Sequence, residues 1–114
     1  MDAQTITCSN RLDDAGRPAG GLVMGVGLAI TWQDGPLVNP NTGERDEPNG
    51  AFVETVIRAA KQRIEHYNST QFRCRENSMA ITKLDEALMW LNSRTARRVD
   101  QGVEGTYGQG DGDG

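Results

Sequence analysis

AFVETVIRAAKQRIEHYNSTQFRCRENSMAITKLDEALMWL, residues Ala51 to Leu91, is the stretch on which the fold turns. Phe52, Val53, Val56, Ile57, Ala60, Ile64 and Tyr67 recur at spacings of three and four. That period gathers them on one face of a helix. The polar run YNSTQ interrupts the pattern. A second helix is expected to start between Arg73 and Glu76, with Ile81, Leu84, Leu88 and Leu91 as its stripe and Ala80, Ala87 and Trp90 flanking. Helices joined by about five residues fold back antiparallel as a hairpin. Asn49, whose side chain can accept an orphan backbone N–H, is the expected N-cap of the first helix. Gly102 is the expected stop of the second.

Upstream, LVMGVGLAITWQDG (residues 22–35) is the strand candidate. Val23, Val26, Ile30 and Trp32 favour extended backbone, and Asp34-Gly35-Pro36 signals a turn. Gly25 or Gly27 divides the run into two short strands or places a bulge in it. NRLDDAGRPAGG (residues 10–21) and PLVNPNTGERDEPNG (residues 36–50) read as loop.

The expected fold class is α+β: a small N-terminal antiparallel β element followed by a long antiparallel α-helical hairpin. The expected divisions are a mostly looped lead-in (1–20), the β element and its loop (21–48), the hairpin domain (49–106) and a flexible tail (107–114). Two strands are not stable alone. Aromatic residues make up only 5% of the 114-residue chain, so a single subunit has a thin core. Both points favour an oligomer.

Charge is uneven. Between Arg58 and Arg98 lie nine basic and four acidic residues, whereas the remainder holds three basic and twelve acidic. A basic middle with acidic flanks suits a small anion and repels a nucleic-acid polymer. MDAQTITC has neither the charged nor the apolar region of a secretory signal. No apolar run is long enough to cross a membrane. A cytoplasmic protein with Cys8 and Cys74 as free thiols is expected.

For catalysis the residues offer little. His66 is the single histidine, and no serine or cysteine sits in a nucleophile motif. The terminal DGDG ends before a calcium loop could close. Gly25-Val26-Gly27 has no helix following it to make a dinucleotide fingerprint. A non-enzyme without cofactor or metal is expected.

Binding chemistry is better represented. Arg94 and Arg98 share one helix face a turn apart. They either grip a phosphate or pyrophosphate by charge-assisted bonds or complement the helix dipole. Tyr67 either stacks on a base or packs in the core. Asn77 either caps the second helix or reads a base edge. Arg75, Asn77 and Ser78 lie where free N–H groups attract anions.

WQDGP (residues 32–36), EPNGAFVETVI (47–57), CRENSMAITKLDEALMWL (74–91) and RTARRVDQGVEGT (94–106) resemble the phage-encoded cyclic-nucleotide sponges, which sequester the signals of bacterial immunity. The hairpin looks like one shared by the Thoeris anti-defence and anti-CBASS groups. The β-prone segment before it looks more like the Thoeris group. That resemblance implies a non-catalytic binder of a cyclic ADP-ribose isomer made by a TIR-domain enzyme. It implies an aromatic and an asparagine at the adenine, falling on Tyr67 and Asn77. Phe72 is a rival for the aromatic, since the family residue is commonly phenylalanine. It implies two arginines on the diphosphate, Arg94 and Arg98. It further implies dimers that assemble into hexamers, and a second site for cyclic di- or trinucleotides, for which Arg75, Gly105 and Thr106 are the candidates. The alternatives are an anti-CBASS-type sponge for cyclic di- or trinucleotides, and an oligomeric helical interaction protein with no nucleotide ligand.

Overall fold

A computed structural model describes residues 4–100 together with Gly102 and Thr106. It contains three strands, β1 (Ile6–Leu12), β2 (Pro18–Gly25) and β3 (Leu28–Trp32), followed by two helices, α1 (Val53–Asn68) and α2 (Arg75–Asp100). The fold class is α+β, as the sequence indicates. The chain divides into two compact units, the sheet with its loop up to Phe52 and the helices from Val53 onward. The expected tail, residues 107–114, lies outside the described residues.

The strands form an antiparallel meander in the order β1-β2-β3. Ile6 pairs with Gly25 and Leu12 with Pro18, with a register shift between Asn10 and Leu12. Gly21 pairs with Trp32 and Gly25 with Leu28. The 22–35 run does break into two strands, at Val26-Gly27. Val26 is therefore a turn residue and not a strand residue.

The lead-in read as loop is corrected by the structure. Ile6–Leu12 is a strand, and β2 begins at Pro18. The turn between them is built by Asp13, whose carboxylate accepts the N–H groups of Ala15 and Arg17 (both 2.9 Å) and the Arg17 Nε–H (2.8 Å). Pro18 stands at the first position of its strand, where a missing donor is tolerated. Leu12 and the rest of β1 are exposed along the whole strand, so no buried face imposed an apolar alternation.

Asn49 also departs from expectation. It lies four residues before α1 and does not cap it. Its backbone N–H donates to Gln33 Oε1 (2.9 Å), its Oδ1 accepts from the Asp34 N–H (2.8 Å), and its Nδ2 donates to the Asp34 carbonyl (2.9 Å). Next to it, Ala51 bridges in parallel to Trp32. Gly50 makes this possible: a Cβ there would stand 2.5 Å from the Trp32 carbonyl carbon. The asparagine is thus spent on joining the loop to the end of β3.

In the helical unit, Val56, Ile57 and Ile64 of α1 are half-buried, as are Ile81, Leu84 and Leu91 of α2, and Leu88 is buried. Lys61 Nζ meets Asp85 Oδ1 at 2.6 Å, and Asn68 Nδ2 donates to Ser78 Oγ at 3.0 Å. Partners on α2 fall in number as those on α1 rise, so the helices run antiparallel. Asn68 Oδ1 also accepts the Cys74 N–H at 3.1 Å, closing the connection. Past the end of α2, Gly102 takes φ +73° and donates its N–H to the Val99 carbonyl at 3.0 Å. A left-handed residue after the last turn is where glycine is favoured.

Packing within the single chain is thin. Among the described residues, the buried apolar side chains are Val23 and Leu88, each 8% exposed.

Candidate functional site

The hairpin is lopsided. α1 has 16 residues and α2 has 26, which at 1.5 Å per residue are about 24 and 39 Å long. The Lys61–Asp85 and Asn68–Ser78 contacts place the first residue of α1 opposite the region around Ser93. The last two turns of α2 therefore extend past the start of α1. Those turns carry Arg94, Arg97 and Arg98.

The connection end of the hairpin carries the other candidates. Tyr67 is the penultimate residue of α1 and is 43% exposed. The Arg63 guanidinium carbon lies 4.7 Å from its ring centroid, and the His66 ring lies 6.0 Å away, tilted by 50°. Asn77, in the first turn of α2, is half-buried, and its Nδ2 donates to the Phe72 carbonyl at 3.4 Å. Phe72 itself lies exposed in the connection. Tyr67, Phe72 and Asn77 thus belong to one end of the hairpin.

Asn77 and Arg94 are seventeen positions apart on one helix, which is about 25 Å along its axis. The hairpin does not bring the aromatic–amide pair to the arginine pair within one chain. Arg94 and Arg98 do share a face one turn apart.

The two arginines differ in environment. Arg94 is exposed, whereas Arg98 is 8% exposed and is the buried charged side chain among the described residues. Both engage polar or electrostatic partners in the chain. A guanidinium taken out of water needs such compensation, so Arg98 is not a solvated helix-end charge. Arg75 is exposed at the first position of α2 and Thr106 is half-exposed. Gly105 lies outside the described residues.

The sequence reading missed Arg63. Its signal was available, because Arg63 and Tyr67 are four apart on a helix and a pair at that spacing meets. Trp90, placed at the flank of the apolar stripe, is 65% exposed on α2. Among the described residues, no cluster of three or more His, Cys, Asp or Glu side chains could hold a metal ion. No helix among them is long and apolar enough to cross a membrane.

A three-stranded antiparallel sheet followed by a two-helix hairpin with a cationic far end is the setting in which the comparisons with known proteins fall. Residues 24–96 match the family model described as Acb2/Tad1, hairpin domain. The match runs from β2 through most of α2 and covers most of the chain, so the chain belongs to that family. It includes Tyr67, Asn77 and Arg94 and stops short of Arg98.

Among individual proteins, the chain is 54% identical over 78 residues to "Thoeris anti-defense 1" of Bacillus phage SBSphiJ7. The alignment covers 68% of this chain and 51% of that protein, so the chain spans about half the length of the curated relative it matches. The resemblance read from the motifs, a Thoeris anti-defence sponge sharing its hairpin with the anti-CBASS group, is borne out at the level of the family.

Proposed function

We propose that this protein is a phage anti-defence sponge that takes up a cyclic ADP-ribose isomer, made by a TIR-domain enzyme of the Thoeris system, and holds it without chemical change in the host cytoplasm. The observation that carries the reading is the 54% identity to a protein named for Thoeris anti-defence. The residues fit a binder more readily than a catalyst. A guanidinium pair one turn apart can accept a diphosphate by charge-assisted bonds. An exposed ring and an amide at the other end of the hairpin can take a base.

The separation of about 25 Å between these groups sets a condition on the reading. A small cyclic nucleotide reaches both only if two chains lie antiparallel along α2. Tyr67 and Asn77 of one protomer then face Arg94 and Arg98 of its partner. Thin single-chain packing and the exposed Met79, Met89 and Trp90 of α2 support such pairing. Dimers assembling into hexamers, with Arg75, Gly105 and Thr106 at a second site for cyclic di- or trinucleotides, extend the same proposal. The family description, which joins two names on one hairpin, favours keeping cyclic oligonucleotides as a second class of cargo.

The test is recovery of the ligand. The protein is incubated with the nucleotide product of a TIR-domain enzyme, washed, denatured and analysed by chromatography. A stoichiometric return of unaltered nucleotide is expected. Linear ADP-ribose in its place would replace the sponge with an enzyme.

A further inference from the structure

We propose that Arg63 is a positioning residue for the Tyr67 ring, holding it so that one face alone is offered to a purine base. The inference rests on the reading of Tyr67 as a base platform. Arg63 lies four residues before Tyr67 on α1, so the two side chains meet over one turn. The guanidinium carbon is 4.7 Å from the ring centroid, inside the roughly 6 Å range of a cation–π contact. A planar, weakly hydrated guanidinium packs well on an aromatic face.

What else Arg63 touches sharpens the point. Among the described residues, its guanidinium lies over the Tyr67 ring, and no carboxylate pairs with it. Glu65, the nearest acid in sequence, is turned to Lys61 at 4.0 Å. His66 sits 6.0 Å from the same ring at a tilt of 50°. One face is covered by Arg63, while Tyr67 as a whole remains 43% exposed.

A half-exposed tyrosine at a helix end otherwise has rotamer freedom to lose when a base stacks on it, and that loss weakens binding. Arg63 removes part of the freedom beforehand. It acts through Tyr67 and needs no contact with the ligand.

The experiment uses the full chain and two readouts. By proton NMR, the Arg63 side-chain methylene protons are expected to show an upfield ring-current shift that vanishes in Tyr67→Leu. Their resonance at random-coil positions in the wild-type protein would overturn the proposal without any ligand. By calorimetry with the nucleotide product of a TIR-domain enzyme, Arg63→Met is expected to weaken binding about two- to five-fold. Arg63→Lys, which keeps a cation over the ring, is expected to recover part of the loss. In a Tyr67→Leu background, Arg63→Met is expected to change nothing further.

Wild-type affinity in Arg63→Met overturns the positioning role and leaves the sponge reading standing. An equal loss with and without the Tyr67 ring overturns it as well, because Arg63 would then act without Tyr67. Failure of the wild-type protein to bind is a separate outcome that removes the sponge reading and this proposal together.

Discussion

The sheet and the hairpin hold themselves together by different means. In the sheet the work is done by backbone pairing across β1, β2 and β3, by the Asp13 turn and by the Asn49 clamp, around Val23, the buried apolar side chain there among the described residues. In the hairpin it is done by side chains: a stripe centred on Leu88, the Lys61–Asp85 ion pair and the Asn68–Ser78 hydrogen bond. The sheet thus offers backbone and turns, whereas the hairpin offers arrayed side chains. On the proposed function, ligand chemistry belongs to the hairpin, and substitutions should separate the two regions cleanly.

The largest expected effect is on binding, from the arginine pair. Arg94→Ala should weaken uptake of the cyclic nucleotide roughly 10- to 100-fold, the worth of one charge-assisted hydrogen bond. The melting temperature should stay unchanged, because Arg94 is exposed. Calorimetry beside a thermal melt reads both. Arg98→Ala should lose binding as well but should also lower the melting temperature, because Arg98 is buried and engaged. Equal melting behaviour in the two variants would remove the distinction drawn between them.

Next comes Leu88→Ala, expected to destabilise the helical unit by about 2–4 kcal/mol. Chemical denaturation followed by far-ultraviolet circular dichroism measures it. Asn49→Ala should have a smaller effect, on the order of 1–2 kcal/mol, through loss of its side-chain hydrogen bonds to Asp34. That loss should appear in the protection of the Asp34 and Ala51 amides while α1 keeps its helicity. Fraying at Val53 to Val56 instead would return Asn49 to the capping role that its sequence position suggests.

That pair of outcomes also marks how far the sequence could be read. The helices were legible because an apolar period of three and four survives even when each face is only half-buried. The stop at Gly102 was legible because a left-handed residue favours glycine. β1 was not legible, because Ile6–Leu12 is exposed along its length and carries no alternation. Asn49 is ambiguous in the sequence because an asparagine before an apolar run suits a cap and a loop clamp equally, and only the approach of Gly50 to Trp32 decides between them. Of the candidate site, the spacing of Arg94 and Arg98 and the partnership of Arg63 with Tyr67 are local helix geometry. The distance from Asn77 to Arg94 follows only once α2 is known to be one unbroken helix.

The smallest expected effects are in pH, and they run in opposite directions for the two regions. Hydrogen bonds from Arg17, and then Ala15, hold the Asp13 carboxyl below its usual value of 3.8. Its contribution to the sheet is full above that value and is lost as pH falls through the lower folded-state pKa. The hydrogen bond and charge of Asp85 raise Lys61 above its usual 10.5. Its contribution to the hairpin is full below 10.5 and is lost as pH rises through the higher folded-state value. Both side chains keep about a quarter of their surface in water, 27% for Asp13 and 24% for Lys61, so these contributions are screened and fade with salt. Residue-resolved amide exchange should show the 13–17 turn loosening first in acid and the Lys61–Asp85 contact first in base. Asp13→Asn and Lys61→Met should each abolish one of the two responses.

The proposed function depends on a small dianion being gripped, unaltered, between two hairpins. Native mass spectrometry of the protein mixed with the nucleotide product of a TIR-domain enzyme tests it most directly. The account predicts that the nucleotide's full mass is carried by an assembly of two or more chains, is absent from monomers, and is recovered intact on collisional release. A nucleotide retained by single chains, a hydrolysed mass, or no added mass at all would contradict it.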